Sequence, residues 1–188
     1  MNNISKPKSK GTKGKIFEKN FQDSCKKQGI FCTRLRDNQL SYTTNLSTFQ
    51  QPYDFECYMF PCMYCLELKC TNLSSVSFER NKDEKNKKML HYHQIEGLHK
   101  ASQHYGVEAG ILINFKTSGN TYYLPIESFM EFFNSTDKKS ISEKDICSIP
   151  SFVVDKKLLR TNYEYNIKKL FDNIRENTKE IDIIDIKV

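Results

Sequence analysis

Apolar residues along the chain follow two different spacings, one typical of helices and one typical of strands. Phe17, Phe21 and Ser24 recur at intervals of three and four, which predicts an amphipathic helix over residues 14–28 that stops at Gly29. The same type of spacing predicts three further helices, over residues 91–105, 127–133 and 164–174.

Alternating apolar residues and short apolar runs indicate strands between these helices. Residues 53–59 and 65–70 are separated by a connection short enough for a hairpin. Residues 109–115 are almost wholly apolar, which predicts a buried strand. The remaining predicted strands cover residues 30–36 and 121–126. This order of elements predicts a mixed α/β fold with a central sheet.

The length of 188 residues fits one domain with short appendages better than two domains. Residues 1–15 hold five lysines and no acid, so we expect residues 1–12 to form a flexible basic arm. The main folded domain is then expected over residues 13–150. A C-terminal helical extension and tail would follow over residues 151–188.

The composition excludes some classes of protein. The longest apolar run is only a few residues, far below the roughly 20 that cross a bilayer, and no apolar signal segment follows Met1. Seven cysteines are an odd number, which favours reduced thiols. We therefore expect a cytoplasmic protein with no membrane partner. The net charge of +6 suggests an anionic partner without requiring one.

The predicted hairpin carries the residues with the clearest chemistry. Side chains two apart on a strand share a face, so Glu67 and Lys69 point the same way and a hairpin brings Asp54 beside them. Carboxylates are the ligands that Mg²⁺ prefers, and a nearby lysine can stabilise charge on a phosphate undergoing hydrolysis. Glu18 on the first helix offers a further acid. The alternative is a solvated hairpin face with cross-strand ion pairs.

Several short motifs occur in a fixed order over roughly residues 13–150: Gly14-Lys15-x-Phe17-Glu18, Asp54-Phe55, Glu67-Leu68-Lys69, Ser77-Phe78, His91-Tyr92-His93-Gln94-Ile95, the strand at 109–115 and Tyr122-Tyr123-Leu124. Their combination resembles the RecU-type Holliday junction resolvases of low-GC Gram-positive bacteria and their phages. That resemblance implies a restriction-endonuclease-like PD-(D/E)xK core, with a central mixed β-sheet flanked by helices. It also implies a homodimer that nicks two symmetric strands of a four-way DNA junction in recombination and repair, using Mg²⁺ or Mn²⁺.

The resemblance also assigns roles to individual residues. Asp54 and Glu67 would be metal ligands, together with the carbonyl of Leu68, and Lys69 would serve the nucleophile. Glu18 would be an outer-sphere acid, and Gln94 would lie close to the lysine. The expected catalytic residues are therefore Asp54, Glu67, Lys69, Glu18 and Gln94. The place of action would be the nucleoid, or the host cytoplasm if a phage encodes the protein.

Basic and polar residues around these motifs are candidates for DNA binding. Arg34 and Arg36 share a strand face, where they either grip phosphates or form ordinary surface charge, and we give the two interpretations equal weight. Lysines of the basic segment would contact the backbone, and a histidine at the head of a helix commonly contacts phosphate. The expected DNA-binding residues are Lys13, Lys15, Arg34, Arg36, Ser77 and His93.

The cysteines allow a competing metal interpretation. The spacing Cys57-x4-Cys62-x2-Cys65-x4-Cys70 resembles a zinc knuckle. However, alternation places Cys57 and Cys70 on the strand face opposite Glu67, where they would be small core residues. Zinc is therefore disfavoured as the cofactor.

One departure from the family keeps other functions open. Family members carry a long stalk before the catalytic aspartate, whereas this chain has only residues 38–51 there. The first alternative is a restriction-like nuclease, or a phage nuclease associated with flaps or replication. The second is a basic DNA-binding module without catalytic activity.

Overall fold

The computed structural model describes residues 13–35, 50–84 and 88–185. The predicted basic arm, Arg36 and most of the 38–51 segment lie outside these residues. The helices are α1 (Lys13–Lys27), α2 (Tyr92–Ser102), α3 (Ile126–Ser135), α4 (Glu143–Cys147) and α5 (Ile167–Asp185). The strands are β1 (Phe31–Arg34), β2 (Phe55–Met59), β3 (Cys62–Thr71), β4 (Ser75–Ser77), β5 (Val107–Phe115), β6 (Thr121–Pro125), β7 (Ser140–Ser142), β8 (Phe152–Val153), β9 (Lys156–Leu158) and β10 (Tyr163–Tyr165).

Six strands form the central sheet in the order β1-β2-β3-β5-β6-β8. Strands β3 and β5 are parallel, and every other neighbouring pair in this sheet is antiparallel. A parallel pair needs a long crossover connection, which here contains α2. The α/β class that the sequence predicts, with a central mixed β-sheet flanked by helices, is confirmed.

Each face of the sheet packs against its own pair of helices. On one face, Phe17 and Phe21 of α1 and Phe171 of α5 lie in a buried cluster with the strand residues. The ring of Tyr64 on β3 stacks on Phe171 with the centroids 3.6 Å apart. On the other face, residues of α2 and α3, including Leu98, pack on β5 and β6. We call these the α1/α5 face and the α2/α3 face.

All the helices and strands that the sequence predicts are present, and most boundaries differ by a few residues, but α5 continues to Asp185, well beyond the predicted end at residue 174. The structure adds α4 and five short strands of two or three residues: β4, β7, β8, β9 and β10. Such short strands contain too few residues to show a periodic pattern. Among the described residues, no helix is both long enough and apolar enough to cross a membrane.

The segment after residue 150 contacts the rest of the fold extensively. Strand β8 pairs with β6 in the central sheet, and Ile167, Leu170 and Ile174 of α5 are buried in the same cluster as α1. The division of the chain into a domain over residues 13–150 and an extension over residues 151–188 stays a prediction.

Arg80 fixes the end of α3, although the sequence shows it only as part of a charge run. Its guanidinium donates hydrogen bonds to the carbonyls of Phe133, Thr136 and Lys138 at 2.6, 2.7 and 2.8 Å. It also lies 4.2 Å from the centroid of the Phe133 ring. A helix leaves its last carbonyls without partners, and Arg80 supplies donors for them.

We expect Arg80→Ala to lower the free energy of unfolding by about 2–4 kcal/mol, because several charge-assisted hydrogen bonds and a cation–π contact are lost together. Urea denaturation followed by circular dichroism measures the change. The exposed Arg160 provides the matched control, and Arg160→Ala should change stability by less than about 0.5 kcal/mol. Equal losses in the two variants would contradict this account of Arg80.

Candidate active site

Asp54 and Glu67 come together because β2 and β3 are antiparallel neighbours. Phe55 pairs with Leu66 in the register, so the residues just beyond this pair, Asp54 and Glu67, project to the same face. The backbone N–H of Asp54 donates to the carbonyl of Leu66 at 3.1 Å. The Asp54 carboxylate in turn accepts a 2.9 Å hydrogen bond from the N–H of Leu68. This aspartate is therefore fixed at the start of β2.

Glu67 lies deep in the α2/α3 face, and only 1% of its side chain is exposed. Its Oε1 accepts hydrogen bonds from Lys69 Nζ and Gln94 Nε2, both at 2.7 Å. Its Oε2 is buried and has no hydrogen-bond partner among the described residues. Burial raises the pKa of Glu67 to about 8, with Asp54 adding to the rise and Lys69 opposing it. The site therefore holds a buried carboxyl group whose ionised form is disfavoured unless further positive charge lies beside it.

Gln94 connects this carboxylate to the start of α2. Its Oε1 accepts from Lys69 Nζ at 3.2 Å and from the backbone N–H of His91 at 3.0 Å. His91 is the residue that precedes the first turn of α2. One amide side chain thus caps the helix and orients both charged groups of β3.

The group formed by Asp54, Glu67, Lys69 and Gln94 fits a hard divalent cation. The unpartnered Glu67 Oε2 and the neighbouring Asp54 carboxylate are oxygen donors of the type that Mg²⁺ and Mn²⁺ accept. A cation here would supply positive charge that stabilises the ionised form of the buried Glu67 carboxyl group. The predicted contribution of the Leu68 carbonyl stays a prediction.

A close contact positions the segment that leads to Asp54. A Cβ at Gly97 of α2 would lie only 2.4 Å from the Cβ of Pro52, so this position requires glycine. The contact packs α2 against the chain two residues before Asp54. The helix that carries Gln94 thereby also supports the aspartate.

Glu18 and Arg34 lie on the α1/α5 side of the sheet. Their side chains form an ion pair, with Glu18 Oε2 and Arg34 Nε 2.8 Å apart. Arg34 is exposed on the edge strand β1, and Glu18 is half-buried on α1. The structure therefore pairs these two residues with each other, while Gln94 and Lys69 meet on the opposite face. The outer-sphere role of Glu18 and the phosphate contact of Arg34 stay predictions.

The other predicted DNA-binding residues are spread over the surface. Lys15 is exposed, and Lys13 Nζ donates to Asn72 Oδ1 at 3.0 Å. Ser77 Oγ accepts from the N–H of Met89 at 3.2 Å. The ring of His93 stacks on that of His91, with the centroids 5.6 Å apart. The role of these four residues in DNA binding stays a prediction.

Glu79 is a residue of the site region that the sequence analysis missed. Its carboxylate accepts from the N–H of Tyr92 and contacts Nδ1 of His91, both at 2.8 Å. Burial acts to raise the pKa of Glu79, but these hydrogen bonds outweigh it and hold the pKa below its usual value. Glu79 stands at the start of a charge run without periodicity, so no sequence signal distinguishes it from its neighbours.

The four cysteines of the zinc-knuckle spacing divide between the two faces of the sheet. Cys57, Cys62 and Cys70 lie with the α1/α5 cluster, and Cys65 lies with the α2/α3 cluster. The sheet therefore separates Cys65 from the other three. The placement of Cys57 and Cys70 opposite Glu67 is the one that alternation predicts.

Comparison with known proteins identifies the family. The model of the family described as Recombination protein U, RecU, matches residues 72–183 of this chain, which is more than half of its length. The chain belongs to the RecU family. The family assignment predicted from the sequence motifs is therefore confirmed. Membership of this family supports a function as a junction-resolving nuclease.

Two individual proteins are similar to this RecU family chain. The SPbeta prophage-derived uncharacterized protein YotM of Bacillus subtilis (strain 168) is 28% identical in an alignment of 174 residues that covers 84% of this chain and 84% of YotM. The structure of Hjc, a Holliday junction resolvase of Archaeoglobus fulgidus, has a TM-score of 0.49 and 16% identity. This alignment covers 72% of the present chain and 93% of Hjc.

The RecU match begins at residue 72, just after the strand that carries Glu67 and Lys69. It includes Gln94, Ser77 and His93, but not Asp54. The roles of the two acids and the lysine therefore rest on the geometry and on the motifs, and they stay predictions.

Proposed function

We propose that this chain is an endodeoxyribonuclease that depends on a divalent metal and resolves four-way DNA junctions by paired nicking. The observation that carries the proposal is the buried Glu67. Its Oε1 accepts hydrogen bonds from Lys69 and Gln94, and its Oε2 has no hydrogen-bond partner in the part of the chain that the structure describes. An unpartnered buried carboxylate oxygen is costly to stability, and such an arrangement is typical of functional sites. Membership of the RecU family supports the same activity.

In this proposal, Asp54 and Glu67 hold Mg²⁺ or Mn²⁺, with the Leu68 carbonyl as a third donor. The bound ion would lower the pKa of a coordinated water and neutralise charge on the scissile phosphate. Lys69 donates hydrogen bonds toward the attacking water and the phosphate oxygens, and it stabilises the charge that grows there. Gln94 keeps the Lys69 ammonium in place, and Glu18 acts as an outer-sphere acid.

In this proposal, the DNA would contact both the α2/α3 face that bears the site and the α1/α5 side of the sheet, where Arg34 lies. Lys13, Lys15 and Arg34 would contact phosphates, together with Arg36, Ser77 and His93, and each neutralised phosphate would steepen the salt dependence of binding. The nucleoid, or the cytoplasm of a phage host, would be the place of action.

Paired nicking requires two active sites in one complex, so we propose that the chain acts as a homodimer. Two large exposed apolar residues lie near each other at the β2–β3 turn: Phe31 is 64% and Phe60 77% exposed, and Phe31 pairs with Tyr58 near the end of β2. Large exposed apolar side chains of this kind favour burial between two copies. Sedimentation velocity at micromolar concentration tests the dimer, and a purely monomeric protein would contradict it.

The main experiment compares three DNA substrates that share arm sequences: a four-way junction, a flap and a linear duplex. We expect Mg²⁺-dependent cleavage of the junction in symmetric positions on opposed strands, and loss of cleavage in EDTA. If the flap or the duplex is cleaved in preference to the junction, the protein is a nuclease with one of the alternative substrates. The short 38–51 segment favours those substrates. Binding without cleavage of any substrate would identify a non-catalytic module. Asp54→Asn should bind the junction and fail to cut it.

We expect Gln94→Met to lower the cleavage rate at saturating DNA by about 10–100-fold, the usual cost of removing a residue that orients metal-site groups. The apparent affinity for the junction should stay unchanged, because Gln94 orients Lys69 and Glu67 rather than the DNA. Gln103→Met is the matched control, since Gln103 is exposed at the other end of the same helix. A parallel loss of affinity and rate would contradict a positioning role.

A further inference from the structure

Three cysteine side chains meet on the α1/α5 face, at the β1 edge of the sheet. Cys25 lies near the end of α1, Cys32 lies on β1 and Cys57 lies on β2. Their three sulfur atoms all lie within 4.8 Å of one another. Cys25 and Cys57 are buried, and Cys32 is half-buried. This cluster lies on the face of the sheet opposite Glu67.

The backbone explains why these three residues converge. Cys32 and Cys57 are directly opposite in the β1–β2 register. The ladder bond from Leu35 N–H to the Asp54 carbonyl makes their pair a non-hydrogen-bonded one, in which side chains lie closest. Gly29, with a φ of 70°, then turns the chain so that the end of α1 lies over β1. The cluster is therefore fixed by three separate elements.

The separations are close to those of a thiolate metal site. With metal–sulfur bonds of about 2.3 Å, three sulfur ligands around one ion lie about 3.8–4.0 Å apart. Shifts of less than about 1 Å would bring the three sulfurs to this spacing, and β1 is an edge strand with a neighbour on one side only. The half-buried Cys32 gives an ion access to the cluster from solvent.

We propose that Cys25, Cys32 and Cys57 bind one thiophilic d¹⁰ metal ion, Zn²⁺ or Cu⁺, through three thiolates. Soft sulfur ligands select these ions, whereas the oxygen donors of Asp54 and Glu67 select Mg²⁺ or Mn²⁺. Among the described residues, no further His, Cys, Asp or Glu joins the cluster. Zn²⁺ would therefore need an exogenous fourth ligand, and Cu⁺ would be bound by the three sulfurs alone.

A bound ion would tie α1 to the β1–β2 pair. Asp54 immediately precedes β2, and its backbone carbonyl is already bonded to Leu35 after β1. The site would thus stabilise the strand that presents the catalytic aspartate. The simpler interpretation is that the cysteines are small core residues beside Phe21 and Phe55, and it predicts no bound metal.

The test uses the full-length protein, reduced and purified under nitrogen, with Co²⁺ as a spectroscopic substitute for Zn²⁺. We expect one Co²⁺ per chain with a sulfur-to-cobalt charge-transfer band, displaced by Zn²⁺. Cys32→Ser should abolish that band, whereas the matched control Cys147→Ser should retain it, because Cys147 is exposed and outside the cluster. A parallel titration with Cu⁺ determines which of the two ions binds more tightly.

The readout separates this site from the catalytic one. Co²⁺ at Asp54 and Glu67 would have oxygen ligands and no sulfur band, so Glu67→Gln should leave the band unchanged. Cys32 is chosen for substitution because it is the least buried of the three cysteines. Circular dichroism checks that the Cys32→Ser protein is folded. The proposal would be overturned if the folded protein binds neither Co²⁺ with a sulfur band nor Cu⁺, or if either ion binds folded Cys32→Ser as it binds the unchanged protein. Neither result would bear on the nuclease activity.

Discussion

Glu67→Gln is expected to lower the rate of Mg²⁺-dependent junction cleavage by at least about 10²–10³-fold, although it hardly changes the size of the side chain. The substitution removes the negative charge that would hold the cation, and it places an amide where the unpartnered Oε2 now lies. The rate of a single turnover with enzyme in excess, measured on a labelled junction, gives the effect without interference from product release.

The control for this experiment is Glu56→Gln on β2. Glu56 pairs with Cys65 in the register, so it lies on the same face as Glu67, but its carboxylate accepts from the Tyr53 hydroxyl at 3.1 Å. We expect its cleavage rate to stay near that of the unchanged protein. A Glu67→Gln protein that is folded, binds the junction and cuts it at the normal rate would refute the proposed metal site.

Lys69→Met is expected to have two effects, one on catalysis and one on stability. Cleavage should fall by about 10²-fold or more, because the group that stabilises phosphate charge is removed. The free energy of unfolding in EDTA should fall by about 1–3 kcal/mol, because the buried Glu67 loses a charge-assisted hydrogen bond and the cation that opposes the rise of its pKa. Mg²⁺ should restore part of this stability, since the ion would supply positive charge at the same place. Urea denaturation with and without Mg²⁺ measures both quantities.

Two further variants separate this effect from general damage. Adding Glu67→Gln to Lys69→Met removes both charges, and the double variant should be more stable than Lys69→Met alone. Lys100→Met breaks an exposed ion pair with Glu96 and should cost less than about 1 kcal/mol. If the losses from Lys69→Met and Glu67→Gln simply add in the double variant, the two side chains are not coupled.

The parts of the fold that could be predicted are those with a repeating local pattern. Phe17 and Phe21 reveal α1 because a helix repeats every 3.6 residues, and both are buried as expected. Glu67 and Lys69 could be placed together because a strand alternates with period two. Asp54 followed from the short hairpin connection, which makes the pairing of β2 with β3 a local event.

Features that depend on distant parts of the chain could not be read in this way. Glu79 accepts a hydrogen bond at the start of α2. Arg80 donates a hydrogen bond to the end of α3, which lies more than 50 residues further along the chain. Cys25, Cys32 and Cys57 have no recognisable ligand spacing, because the turn at Gly29 and the β1–β2 pairing bring them together. The position of Gln94 followed from the family motif, since no local pattern predicts that an amide on α2 reaches Glu67 on β3.

The stacking of Tyr64 on Phe171 has a consequence for protein synthesis. Tyr64 lies between Asp54 and Glu67 in the chain, but α5, which shares the covering of its face of the sheet with α1, is made more than 100 residues later. At about 5–20 residues per second, a ribosome needs several seconds to add those residues. A growing chain therefore contains Asp54, Glu67 and Lys69 well before α5 can complete the α1/α5 face of the sheet. We expect the fold, and with it the proposed nuclease activity, to be complete only late in translation.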